Sequence, residues 1–265
     1  MISCHHADHF EFSGPDFTVS FARNGRDVES ALRLRHEVYF REYLRKPLPG
    51  GIDRDKYDQQ CLHLLIRHNH TGKLAGTCRL NTGEPYGYYS DTEFQIDNVL
   101  ATPGKKLEIG RACILADFRN GAVFNLLIQG ILNFACMTKT QQIFGCCSIP
   151  DSLGTETLVY CIHRLKRNHL LPVDLGIASR NQINLPELPQ NIEVENQAWK
   201  NIQRNTHSPL SYYLLLGAKA AVTPFYDPIF HTYDFFVLLD LADMTAFGQR
   251  TMDSSLKMTN AAHVV

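Results

Sequence analysis

Long apolar runs are missing from this 265-residue chain. A membrane-spanning helix needs about 18 or more consecutive apolar residues. The nearest stretch, "FNLLIQGILNFACM", is shorter and is interrupted by Gln129 and Asn133. The start, "MISCHHADHFEFSGPDF", has neither a basic segment nor an apolar one behind it, so no secretory leader is expected. These absences predict a cytoplasmic protein, with room for peripheral contact at the inner face of the membrane. An excess of one charge is also lacking: 26 Lys and Arg face 27 Asp and Glu, and nothing global favours nucleic acid. The 8 cysteines form no C-x-x-C pair. Cys78, Cys113, Cys146 and Cys147 lie in apolar runs and read as buried reduced thiols. Cys4, His5, His6 and His9 crowd a flexible end, and no metal site is expected there. G-x-S-x-G, G-x-x-x-x-G-K-[ST], H-E-x-x-H and G-x-G-x-x-G are all absent. A Cys–His nucleophile built from Cys146 or Cys147 with His63 stays open, but nothing in the spacing selects it.

What is present is an alternation of strands and helices. "DFTVSFAR" (16–23) alternates like a half-buried strand. Residues 27–44 carry Val28, Leu32, Val38 and Tyr39 near helical spacing, with Asp27 as the predicted cap. "RKPLPGGIDRDKYD" (45–58) reads as a loop. "CLHLLIRH" and "KLAGTCRLN" flank "NHTG" and predict a β-hairpin. Residues 81–106 are turn-rich, 107–115 and 141–149 read as buried strands, and 121–138 and 152–169 as helices. Residues 173–208 are polar and read as irregular, 208–220 as a short helix or strand, and 234–241 as a final strand. A hairpin beside a β-α-β crossover predicts one α/β domain with a mixed, mostly antiparallel central sheet flanked by helices. Residues 1–15 are expected to be a flexible N-terminus, 16–245 the domain and 246–265 a tail.

Charged residues inside ordered segments mark a candidate site. Arg33 and Arg35 sit on the first helix, Asp53, Asp55 and Asp58 in "GIDRDKYD", and Arg79 at the end of the hairpin. Glu108 and Arg111 interrupt "LEIGRACI". Burying an unpaired charge costs several kcal/mol, so residues of this kind are paired or functional. Their convergence on one sheet predicts a polar site without naming a reaction.

The order "LRLRHEVYF", "DRDKYDQQCLHLL", "LAGTCRL", "EF", "LEIGRACI" resembles the acyl-homoserine lactone synthases and their relatives, which have the GNAT acyltransferase fold. "LEIGRACILADFRNGAVFNLLIQGI", "IFGCCSIP" and "YLLLGAKAAVTPFYDPIFHTYDFFVLLDL" resemble more closely the ornithine-acyl-carrier-protein N-acyltransferases, also described as hemolysin-like. The similarity runs from about Leu32 to Asp240. It implies N-acylation of an amino acid's α-amine by a 3-hydroxyacyl chain carried as a thioester on acyl carrier protein, with no bound cofactor. Arg35, Asp55, Asp58, Arg79, Phe94, Glu108 and Arg111 match the positions shared with the lactone synthases, and Tyr39 stands where those enzymes have Phe. The tryptophan that follows in the synthases has no counterpart, because the single Trp is Trp199. That departure argues against S-adenosylmethionine as acceptor.

The chemistry implied fits these residue types. An α-amine of pKa about 8 is mostly protonated at neutral pH, so a base is needed, and Glu108 is the candidate. Its competing role is structural, paired with Arg111 or Arg79. A strand bulge aims a backbone N–H at the thioester carbonyl, and Gly110 is where such a bulge is expected. The bulge also brings Glu108 and Arg111, three apart, to one face. The "DFRNGAVF" turn keeps Arg119, Asn120 and Gly121 but lacks the second glycine of a pyrophosphate loop. It therefore suits the single phosphate of phosphopantetheine better than CoA. Arg164, Lys166 and Arg167, or Arg33, Arg41, Arg45 and Lys46, are candidate docking cations for an acidic carrier. Phe94, Phe124, Leu127, Ile131 and Phe144 serve either an acyl tunnel or the core. Asp53, Asp55 or Asp58 would take the acceptor's ammonium group, or else serve turn chemistry. A CoA-dependent acetyltransferase and a non-catalytic acyl-carrier-binding module are the alternatives.

Overall fold

A computed structural model describes residues 10–181, 183–204 and 209–262. The Cys4, His5, His6 and His9 donors and most of the expected flexible start lie outside the described residues. Phe10 is already buried, and strand β1 (Glu11–Ser13) pairs with β2 (Phe17–Phe21). Helix α1 (Gly25–Arg35) is capped by Asn24, whose side chain accepts from the N–H groups of Arg26 and Asp27. The cap thus lies three residues before Asp27, which instead places its charge in the first turn. The chain does not stay α-helical to Leu44. It widens into a π-helix over His36–Tyr43.

Strands β3 (Leu62–His68) and β4 (Leu74–Asn81) form the hairpin around "NHTG". Then follow β5 (Phe94–Gln95), α2 (Asp97–Ala101), β6 (Lys105–Ile114), α3 (Ala122–Met137) and β7 (Thr140–Pro150). Next come α4 (Thr155–Asn168), β8 (Ala178–Ser179), α5 (Ile192–Arg204) and α6 (Leu210–Leu216). The chain continues with β9 (Lys219–Ala220), β10 (Phe225–Asp227), β11 (Thr232–Asp240) and α7 (Ala246–Ala262), so the expected tail carries a helix. Among the described residues no helix is long and apolar enough to cross a membrane.

The chain forms two compact units. The first comprises Met1–Tyr88, Leu107–Thr140 and Gln249–Val265. Its strands run β1-β2-β3-β4-β6, each antiparallel to the next. Phe10, Phe21 and Phe134 pack as an aromatic cluster, with ring centroids 4.8 to 6.4 Å apart. Helix α3 lies so close to β3 that a Cβ on Gly130 would sit 2.7 Å from Leu64.

The second unit comprises Tyr89–Lys106 and Gln141–Gly248. In it β11 pairs antiparallel with β7, β10 and β9, and β5 with β8. Helix α5 corrects the irregular reading of 173–208. Asn191 caps it, and Glu195, Ala198, Trp199 and Ile202 are buried along one stripe. Glu195 is buried because Arg164 and Arg167 of α4 reach it, and the Arg164 guanidinium lies 4.8 Å from the Trp199 ring.

Candidate functional site

The loop between α1 and β3 delivers three aspartates to three arginines in the first unit. Buried Arg35 donates from Nε to Asp53 at 2.8 Å and from its terminal nitrogen to Asp58 at 2.6 Å. Buried Arg79 donates to both oxygens of Asp55, at 2.6 and 2.7 Å, and to Asp58 at 2.9 Å. Arg111 reaches Asp55 at 3.3 Å. The chain Asp53–Arg35–Asp58–Arg79–Asp55–Arg111 alternates sign throughout. The loop also holds itself: Asp58 accepts from the Asp55 N–H, Asp55 from the Tyr57 N–H, and the Asp58 carbonyl from His63 Nε2. Burial opposes ionisation of Asp55, but Arg79 and then Arg111 outweigh it and bring its carboxyl down to about 2. Asp58 is lowered in the same way, with Arg35 overcoming its burial. The aspartates read as candidates for an ammonium group are thus bound to guanidinium groups.

Strand β6 is bulged where the sequence suggests. Arg79 stands opposite Gly110 and Thr77 opposite Cys113, so two steps on β4 face three on β6. The left-handed residue, however, is Arg111 (φ 52°), not Gly110. For a non-glycine this conformation costs about 1–2 kcal/mol. Nor is Gly110 required by packing, since a Cβ there would meet nothing within 4 Å. The Ala112 carbonyl accepts from the Tyr39 hydroxyl at 2.8 Å, so the π-helix satisfies an oxygen at the bulge. Burial holds the Tyr39 hydroxyl well above its usual range and keeps it a donor. On β4, Asn81 stands opposite Glu108, and its amide donates to Glu108 Oε2 at 3.0 Å. Arg79 and Asn81 share a face of β4, and Arg111 joins Arg79 on Asp55. The bulge therefore brings Glu108 and Arg111 to one side.

At the start of α3, Gly121 has a φ of 91° and an open flank, and Asn120 accepts from the Ala122 N–H at 3.1 Å. No acidic residue lies in the first turn. Arg119 donates from Nε to the Ile114 carbonyl at 2.9 Å and forks onto both carboxylate oxygens of Glu42. Of the candidate docking cations, Arg33 and Arg41 pair along their own helix with Glu29 and Glu37, and Arg164 and Arg167 with Glu195. Arg45 and Lys46 are exposed.

Phe94 belongs to the second unit, fully buried among Phe225 and Phe236 at 6.4 and 6.0 Å. Phe144, Leu127 and Ile131 are buried in their own units' cores. The cysteines at 61, 78, 113, 136, 146, 147 and 161 are free thiols. Burial raises the Cys146 thiol further from ionisation, which disfavours a nucleophile there.

Among the described residues, Glu93, Asp227 and Asp234 of the second unit bring carboxylate oxygens within 4.8 Å of one another. All three are buried. Burial first, and the Asp234 charge second, push the Glu93 carboxyl up to about 8, so it keeps its proton at neutral pH. When an acid's value is raised in the folded state, stability falls over the pH range where the unfolded chain has ionised and the folded one has not. This contribution is therefore present below the ordinary value of 4.5 and is lost as pH rises towards about 8. Glu93→Gln is expected to remove that decline. In urea titrations the variant should gain on the parent by a few kcal/mol near pH 9 and little at acid pH. Parallel pH profiles would assign the slope elsewhere.

Residues 34–129 match the acetyltransferase (GNAT) domain. An L-ornithine N(alpha)-acyltransferase of Agrobacterium fabrum is 29% identical over 242 residues, covering 84% of this chain and 80% of that protein. Among solved structures, an N-acyl amino acid synthase from uncultured soil microbes has a TM-score of 0.50 at 11% identity, covering 89% of this chain and 99% of that one. A CoA-dependent acyl-homoserine lactone synthase solved with MTA has a TM-score of 0.50 at 15% identity, covering 87% and 83%. The fold is that of the GNAT acyltransferases, mixed α/β with mostly antiparallel strands, and the chain is similar in sequence to the ornithine acyltransferases.

Proposed function

We propose that this protein is an N-acyltransferase that moves a 3-hydroxyacyl chain from the phosphopantetheine thioester of acyl carrier protein to the α-amine of ornithine. The observation that carries this reading is the extended similarity to an L-ornithine N(alpha)-acyltransferase, beside the acetyltransferase-domain match over residues 34–129, which hold Glu108 and the arginine–aspartate chain. Glu108 takes a proton from the acceptor ammonium, directly or through water. The freed amine attacks the thioester carbon. A backbone N–H of the 110–112 bulge holds the oxyanion. The C–S bond then breaks, and the departing phosphopantetheine thiolate takes the remaining amine proton. Arg111 steadies the developing charge, while Arg35, Asp55, Asp58 and Arg79 fix the loop and strand that carry these groups. The donor phosphate lies at the N-terminus of α3, beside Asn120 and Gly121. Arg119 joins it only by releasing Glu42. Neither a metal nor a bound cofactor has a step in this scheme.

Purified protein given 3-hydroxyacyl-carrier protein and ornithine is expected to release carrier thiol and form N-acylornithine, identified by mass spectrometry. No release with ornithine or any of the common amino acids would overturn the reading. Equal turnover with the acyl-CoA would overturn the choice of donor.

A further inference from the structure

Asn81 is a buried amide whose hydrogen-bonding capacity is fully used. Its Oδ1 accepts from Gln60 Nε2 at 2.9 Å and from the Gly83 backbone N–H at 2.8 Å. Its Nδ2 donates to the Gly87 carbonyl and to Glu108 Oε2, both at 3.0 Å. Two lone pairs and two N–H groups are all that an amide has. The orientation is therefore dictated. The Gly83 N–H only donates and the Gly87 carbonyl only accepts, so Oδ1 must face the first and Nδ2 the second. The remaining N–H is left directed at Glu108.

Gln60 backs this arrangement. It accepts from the Tyr86 N–H at 2.7 Å and donates to the Gly87 carbonyl at 3.0 Å. The loop 82–88 is closed on itself by Gly87 N–H to the Gly83 carbonyl at 2.6 Å and by the Tyr88 hydroxyl to the Thr82 carbonyl at 3.0 Å. A Cβ on Gly83 would sit 2.6 Å from the Tyr88 ring, so the turn is packed tightly against that side chain.

We infer that Asn81, backed by Gln60, is the positioning residue for the proton-accepting carboxylate of Glu108. A neutral amide suits this task, because it fixes one carboxylate oxygen without adding a cation that would lower the carboxylate's affinity for the proton. The inference rests on the reading of Glu108 as the base, and a double-mutant cycle separates the two. Asn81→Ala is expected to lower kcat by about 10- to 100-fold, with both KM values within about 3-fold. In the Glu108→Gln background the same change should alter the residual kcat by less than about 2-fold, because the carboxylate it positions is gone. Equal losses in both backgrounds would overturn the positioning role while leaving Glu108 as base. An unimpaired kcat in Glu108→Gln alone would overturn the base assignment, and this inference with it. Gln60 is only half-buried, so if Asn81→Ala fails to fold, Gln60→Ala serves in the same cycle. It is expected to show a smaller loss of kcat that likewise vanishes in the Glu108→Gln background.

Discussion

Glu108→Gln is expected to lower kcat by about 10²–10⁴-fold while leaving donor binding and folding intact. Glutamine has the shape of glutamate, and its amide oxygen can still accept from Asn81 Nδ2, so the contact seen at 3.0 Å is retained. In the proposed scheme, what disappears is the capacity to take a proton from the acceptor ammonium. Steady-state kinetics with the acyl-carrier substrate, together with carrier binding and a thermal melt, check this. A kcat within a few-fold of the parent would remove Glu108 from the proton path. A variant that loses its cooperative melt would make Glu108 a structural residue.

The second large effect is on stability. Arg35→Met is expected to cost about 3–5 kcal/mol, because it leaves Asp53 and Asp58 buried without their shared cation. Arg35→Lys is not conservative here, since one ammonium cannot reproduce the geometry with which Nε takes Asp53 and the terminal nitrogen takes Asp58. Urea titration at neutral pH reads the loss. The parent should also show an acid limb. Asp55 and Asp58 have folded values below their ordinary ones, so their contribution is complete above the unfolded carboxylate range of about 4. Both shares are lost as pH falls below that range, the Asp55 share as pH approaches about 2. A midpoint unchanged in Arg35→Met would mean that the aspartates find other partners.

The strands and the hairpin are legible in the sequence because alternation and the "NHTG" turn act locally. Helix α5 is not, because its buried stripe includes Glu195. That residue looks like a solvent-facing position until Arg164 and Arg167 arrive from another helix. The same limit applies at the site. Arg35, Arg79, Arg111 and the aspartates stand out as charges within ordered segments, but which cation takes which carboxylate depends on the fold. The bulge follows from Gly110 in a strand, whereas the left-handed turn at Arg111 has no local signal, since arginine has no preference for it. Asn81 and Gln60 leave no trace in charge or periodicity. They become visible only once the 82–88 loop folds over them.

The alternating arginine–aspartate chain has a consequence for how substrates arrive. Three positive and three negative groups in close sequence cancel in net charge, so their potential falls off at least as fast as a dipole's rather than as a monopole's. The proposed substrates, an anionic carrier and a cationic amino acid, would feel almost nothing from it beyond one screening length, about 8 Å in physiological salt. On the proposed function, the interior charges therefore act as scaffolding at short range and recruit neither substrate. Any dependence of association rate on ionic strength reports the outer surface, where Arg45 and Lys46 stand exposed.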